Sequence, residues 1–137
     1  MTDSKLAQLL FAPRTIALIG ASGDASKNTS RPQRYLRQHG YVGKIIPVNP
    51  GRKEIFGEKA YPELLAVPDA VDQAFIMVPT DAVAAAIEQC VAKKVPLATI
   101  YSDGFAEIGP EGRRKQEQVL AIARAGGVRL LGPNCIG

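Results

Sequence analysis

Thr15-Ile16-Ala17-Leu18-Ile19 runs without a break into Gly20-Ala21-Ser22, and the fold is decided by how this stretch is read. An uninterrupted apolar run of this length suits a strand covered on both faces of a parallel sheet. A glycine turn and a loop opening a helix then present backbone N–H groups to phosphate, as α/β nucleotide-binding proteins do. The following segment extends that reading. From Lys27 to Lys53 the chain carries seven basic residues (Lys27, Arg31, Arg34, Arg37, Lys44, Arg52, Lys53) and no acidic one. This pattern predicts a nucleotide with several phosphates as the ligand.

Outward from this stretch, apolar strands alternate with helical patterns. An amphipathic helix is expected over Ser4–Leu10, stopping before Pro13, and the first strand over Thr15–Ile19. A helix over Pro32–Gln38 ends at Gly40, with Pro32 suited to its first turn. Further strands are expected at Lys44–Asn49, Gln73–Val78, Leu97–Tyr101 and Val128–Leu131. Between them lie a helical turn at Tyr61–Leu65 and helices over Ala82–Val91, opened by Thr80-Asp81, and Pro110–Ala125. The pattern predicts one α/β domain over residues 1–137, a doubly wound, Rossmann-like parallel sheet of five strands. Counting strands along the chain, the expected order across the sheet is 3-2-1-4-5.

Composition narrows the function. The 137 residues suffice for a single buried core, and the net charge of +4 is concentrated before Glu54. Basic residues are not interleaved with aromatics along a face, which argues against nucleic acid and for a compact polyanion. Cys90 and Cys135 belong to no CxxC or Cys/His cluster, so neither a zinc site nor a disulfide framework is predicted, in keeping with a cytoplasmic setting. Nothing reads as a signal peptide or a membrane span.

Right-handed crossovers bring all five strand ends to one edge of such a sheet. Gathered there are Gly20-Ala21-Ser22-Gly23, Val48-Asn49-Pro50, Val78-Pro79, Ser102-Asp103-Gly104-Phe105 and Gly132-Pro133-Asn134-Cys135. Each supplies residues that turn tightly and admit a ligand closely. GxGxxG spacing is missing, and the position where an NAD site carries an acid reads Asn49-Pro50-Gly51-Arg52-Lys53. Arg52 and Lys53 suit a phosphate on the ribose, as in NADP or coenzyme A. An NAD(P)-type sensor or a degenerate Rossmann regulatory domain therefore stands as the alternative.

Six segments together carry a family likeness: Ile19-Gly20-Ala21-Ser22, Gly43-Lys44-Ile45-Ile46-Pro47-Val48-Asn49-Pro50, Ala60-Tyr61-Pro62, Val78-Pro79, Gly104-Phe105-Ala106-Glu107 and Gly132-Pro133-Asn134-Cys135-Ile136-Gly137. In this order the chain resembles the N-terminal coenzyme A-binding domain of NDP-forming acyl-CoA synthetases, the family of ADP-forming acetate–CoA ligases and the succinyl-CoA synthetase α subunit. The resemblance implies CoA or acyl-CoA as ligand and the remaining synthetase domains or subunit as partners; it leaves a homo-oligomer open. Carried over by position, Gly20, Ala21 and Ser22 would line the phosphate turn. Asn49, Pro50, Arg52 and Lys53 would meet the adenosine and its 3′-phosphate. Val78 and Pro79 would pack along nucleotide and pantetheine. Ser102, Asp103, Gly104, Phe105, Asn134 and Cys135 would lie towards the thiol.

Two positions depart from the family pattern. Asp103 puts an acid where relatives have a small neutral residue, or else caps the turn after it. Asn28-Thr29-Ser30 lacks a glycine before Arg31-Pro32, so a side chain there stands to crowd the pyrophosphate. The resemblance places the phospho-histidine in a later domain, so the chain is expected to bind without catalysing. His39 reads as a surface residue at a helix end, Cys90 as core, and Cys135 as a small residue filling a turn.

Overall fold

The computed structural model describes residues 2–132. Asn134 and Cys135 lie outside the described residues. Five parallel strands form one sheet: β1 (Thr15–Ile19), β2 (Lys44–Val48), β5 (Gln73–Ile76), β6 (Leu97–Ile100) and β7 (Arg129–Leu131). A separate two-stranded antiparallel ribbon, β3 (Glu54–Ile55) with β4 (Glu58–Lys59), follows β2. The helices are α1 (Asp3–Phe11), α2 (Arg31–Gln38), α3 (Thr80–Lys93) and α4 (Pro110–Gly126).

The strand order is β2-β1-β5-β6-β7, which corrects the expected order. In chain-order terms it is 2-1-3-4-5: the third main strand returns past β2 and pairs with β1, Ile16 opposite Gln73 and Ile19 opposite Ile76. The reason lies in β2. Pro47 has no N–H to donate, and proline within a strand belongs at a sheet edge. The outer side of β2 is instead closed by a single residue, Tyr61, whose N–H donates to Pro47 O at 3.0 Å and whose O accepts from Asn49 N at 2.8 Å. The switch in strand order consequently falls between the carboxyl ends of β1 and β5, where sheets of this order bind their ligands.

One face of the sheet is sealed. Ala17, Ile19, Ile46, Ala74, Ile76, Ala98 and Ile100 pack beneath Val83, Ile87 and Cys90 of α3 and Val119 and Ala123 of α4. Lys94 and Gly127 end these two helices in the left-handed conformation. The opposite face carries Ile16, Leu18 and Ile45 under the short α2, whose one fully buried side chain is Gln33. Gln33 Nε2 donates to Ile55 O at 2.8 Å and so holds the ribbon to α2. α1 closes the amino end of the sheet, where Gln73 Nε2 donates to Leu9 O at 2.8 Å.

Candidate functional site

The loops after β1, β2, β5 and β6 are tied to one another at the carboxyl edge. Gly20 has φ +90°, and a Cβ there would lie 2.6 Å from Met77 O and 3.2 Å from Val78 Cγ1. The turn after β1 thus runs directly against the end of β5, and a residue with a side chain is excluded by both conformation and space. Asn49 joins the first two loops: its Nδ2 donates to Ala21 O at 2.9 Å, and its Oδ1 accepts from Gly51 N at 2.8 Å. Arg52 lies over the glycine loop, its Nη2 2.6 Å from where a Gly23 Cβ would stand. Arg52 and Lys53 are exposed and, among the described residues, form no ion pair.

Across the switch point, Ser102 Oγ donates to Val78 O and Thr80 Oγ1 donates to Asp103 O, fastening the β6 turn to the β5 turn. Gly104, with φ +88°, sits where a Cβ would meet Thr80 Oγ1 at 2.6 Å. A cavity of about 200 Å³ opens at this edge, lined by Gly20, Val48, Pro50, Val78 and Ala82 among others. Gly20, Pro50 and Val78, expected at the site from the sequence, therefore share one hollow at the switch point. Ala21 is buried and Ser22 half-buried; Ser22 Oγ accepts from Asp24 N at 3.0 Å. Pro79 is exposed as the residue preceding α3, and Phe105 is buried in the core.

Both departures have a structural answer. Asp103 does not cap the β6 turn. Glu107 does so: its Oε1 accepts from Gly104 N at 2.6 Å and Phe105 N at 3.1 Å. N–H groups of Glu107 itself, Phe105 and Gly104 hold that carboxyl below the usual glutamate value. Asp103 is exposed and contributes its carbonyl oxygen to Thr80. Ser30 turns inward rather than toward the edge: fully buried, its Oγ donates to Lys27 O at 2.8 Å and accepts from Arg34 Nε at 3.1 Å. Asn28 is exposed in a short 3-10 turn, Asn28–Ser30.

Thr80 and Glu107 are the edge residues whose roles the sequence reading missed. Thr80 reads as an ordinary helix start, and Glu107, quoted within a motif, gives no sign that its partners are the two amides just before it. His39 ends α2 in an exposed position, and Cys90 is fully buried, its thiol pushed up to about 12 by burial. Among the described residues no helix is long and apolar enough to cross a membrane.

A doubly wound sheet with glycine turns, free cations and a hollow at its switch point defines a nucleotide-binding module of the α/β class. The chain matches the model of the CoA-binding domain family over residues 14–137, and it belongs to that family. The α subunit of acetate–CoA ligase [ADP-forming] I from Pyrococcus furiosus is 42% identical over 134 residues, covering 95% of this chain and 29% of that protein. Acetate–CoA ligase [ADP-forming] II from Archaeoglobus fulgidus is 41% identical over 128 residues, 93% of this chain and 19% of its own length. Among solved structures, the dinucleotide-forming acetyl-coenzyme A synthetase 1 of Ca. Korarchaeum cryptofilum superposes with a TM-score of 0.90 at 40% identity, over 96% of this chain and 28% of that one. The chain thus spans less than a third of the length of these relatives. The family match selects coenzyme A from the ligands left open by the residues alone.

Proposed function

We propose that this chain is the CoA-binding module of an NDP-forming acyl-CoA synthetase and that it holds CoA across the carboxyl ends of β1, β2, β5 and β6. The observation that carries this reading is exposed Arg52 lying over the glycine loop, followed by exposed Lys53, on the loop whose Pro50 lines the switch-point hollow. In that arrangement Arg52 and Lys53 take the 3′-phosphate by charge-assisted contacts. The Gly20-Ala21-Ser22 turn offers backbone N–H groups to the pyrophosphate, a task in which shape matters more than charge. Val78 and Pro79 give an apolar rail, and the Ser102–Phe105 turn, fastened by Thr80 and Glu107, borders the thiol end.

CoA supplies the thiol that accepts an acyl group. In the complete synthetase, working in the cytoplasm, the module's task is to orient that thiol toward an acyl phosphate formed on other domains. Alone it binds and does not turn over. Isothermal titration of the chain with CoA, dephospho-CoA, NAD and NADP tests the reading, with preference for CoA expected. Replacing both Arg52 and Lys53 by Ala should weaken CoA binding by about tenfold or more, the scale of one charge-assisted contact. Dephospho-CoA should lose far less. Equal losses for the two ligands would remove the 3′-phosphate assignment, and equal affinity for NADP would remove the preference for CoA.

A further inference from the structure

The 200 Å³ hollow at the carboxyl edge is not the most spacious cavity among the described residues. Two adjoining cavities of about 650 and 660 Å³ open on the α2 face, and they share Leu36, Gly40, Tyr41 and Phe75. Their floor is the sheet itself. Phe75 of β5 and Tyr101 just beyond β6 are only partly buried there, their rings edge to face at 6.4 Å, and Leu131 of β7 is 48% exposed.

The dimensions explain the gap. Five strands span about 19 Å between the outer strand axes, and a helix with its side chains covers about 10 Å, so each face needs two helices. α3 and α4 provide two on the sealed face. Among the described residues the opposite face has α2 alone, over the β1 side, with α1 at the amino end. Parallel sheets are otherwise covered on both faces. Over β5, β6 and β7 this leaves a strip about one helix wide, in which Phe75, Tyr101 and Leu131 stay open to solvent while the smaller Thr99 between them is buried.

We propose that this strip is a docking surface for a helix with an apolar face and acidic flanks, contributed by another domain or subunit of the synthetase. The inference rests on the chain being one module of a larger enzyme. Charge selects the occupant. Arg31 lines one cavity, Arg14 lines the other, and Arg129 is exposed on β7 beside the strip. None of these three forms an ion pair among the described residues. α2 contributes Arg34 as well, its guanidinium 5.5 Å from the centre of the Tyr35 ring. A second copy of the same face would set cations against cations. An acid-flanked helix pairs them while its apolar side covers Phe75, Tyr101 and Leu131. The relatives, of which this chain spans less than a third, have ample further chain to supply such an element.

Hydroxyl-radical footprinting tests this on the intact synthetase that contains the chain, with this chain alone as reference. Tyr35, Phe75 and Tyr101 should be modified in the chain alone and protected about tenfold in the intact enzyme, because packing excludes the solvent that carries the radical. Phe56 and Leu65, exposed away from the strip, serve as controls that stay modified in both. Tyr35→Glu, at an exposed position of α2, should restore modification of Tyr101 in the intact enzyme while CoA binding persists. Unprotected Tyr35 and Tyr101 in the intact enzyme would overturn the proposal. So would protection in the chain alone that grows with concentration, which would assign the strip to a second copy. A native protein no larger than this chain, with no copurifying subunit, would defeat the larger-enzyme reading and this proposal with it. Loss of CoA binding with protection retained would defeat the CoA reading alone.

Discussion

The two faces of the sheet are built from the same strands but are covered to different extents. In β5, Ala74 and Ile76 are fully buried under α3 and α4, while Phe75 between them remains partly open to solvent on the other side. In β6 the contrast appears only at the end: Ala98, Thr99 and Ile100 are all buried, and Tyr101, just beyond the strand, is partly open. The strands do not cause the difference, since both sets of residues are apolar. The helices cause it. α3 brings Val83, Ala86, Ile87 and Cys90 to its face, whereas α2 reads Arg31-Pro32-Gln33-Arg34-Tyr35-Leu36-Arg37-Gln38 and has little apolar surface to give. Coverage of a sheet is set by how much apolar helix the chain supplies to each side, and here the supply is unequal.

The contrast is sharpest in stability. Ile76→Ala removes buried methylenes from a close-packed layer that has little room to collapse, and should cost about 3 kcal/mol. Leu131→Ala on the open face should cost less than about 0.5 kcal/mol, as substitutions at exposed positions do. Chemical denaturation of both variants measures the difference. Equal costs would mean that the open face is packed in solution and that the two faces are not distinct.

Cys90 reports on the sealed face kinetically. Its thiol is pushed up to about 12 by burial, from an ordinary value of 9.0. At pH 8 the thiolate fraction is then lower than in the unfolded chain by about a thousandfold, and reaction with a thiol reagent should slow by at least that factor. In a Cys135→Ser background, labelling should follow global unfolding in urea. Labelling that precedes unfolding would show α3 lifting from the sheet on its own.

How far these features could be read from the sequence differs by element. β1 was legible because Ile16–Ile19 is apolar throughout behind a β-branched Thr15, and a doubly covered central strand needs little else. Strand order was not, because a strand's residues do not record which neighbour it takes; only Pro47 marks β2 as an edge. The β3–β4 ribbon was missed for a different reason. Its turn places Phe56 (φ +48°) and Gly57 (φ +81°) in left-handed conformation, as a type I′ hairpin requires, but without the Asn-Gly or Asp-Gly that announces one. At the carboxyl edge, glycine turns were visible as turns. The hydrogen bonds that tie one turn to the next, from Asn49, Thr80 and Ser102, join residues at least 23 positions apart and leave no local pattern.

Glu107 stands where the two faces meet, and its effect should be the smallest. The turn it caps leads from Tyr101, on the open face, to Phe105, buried in the sealed core. Its carboxylate takes the Gly104 and Phe105 amides, and these bonds are stronger while it is ionised than when it is protonated. Because its folded-state value lies below the ordinary 4.5, its contribution is fully present above that pH and is lost as the pH falls through the depressed value. The Gly104 and Phe105 amide resonances should therefore titrate with a midpoint below 4.5, and in Glu107→Gln that transition should vanish. A midpoint at or above 4.5 would mean that the clamp is not formed in solution. The β6 turn would then be held by Thr80 and Ser102 alone, and its two ends, one on each face, would be free to move independently.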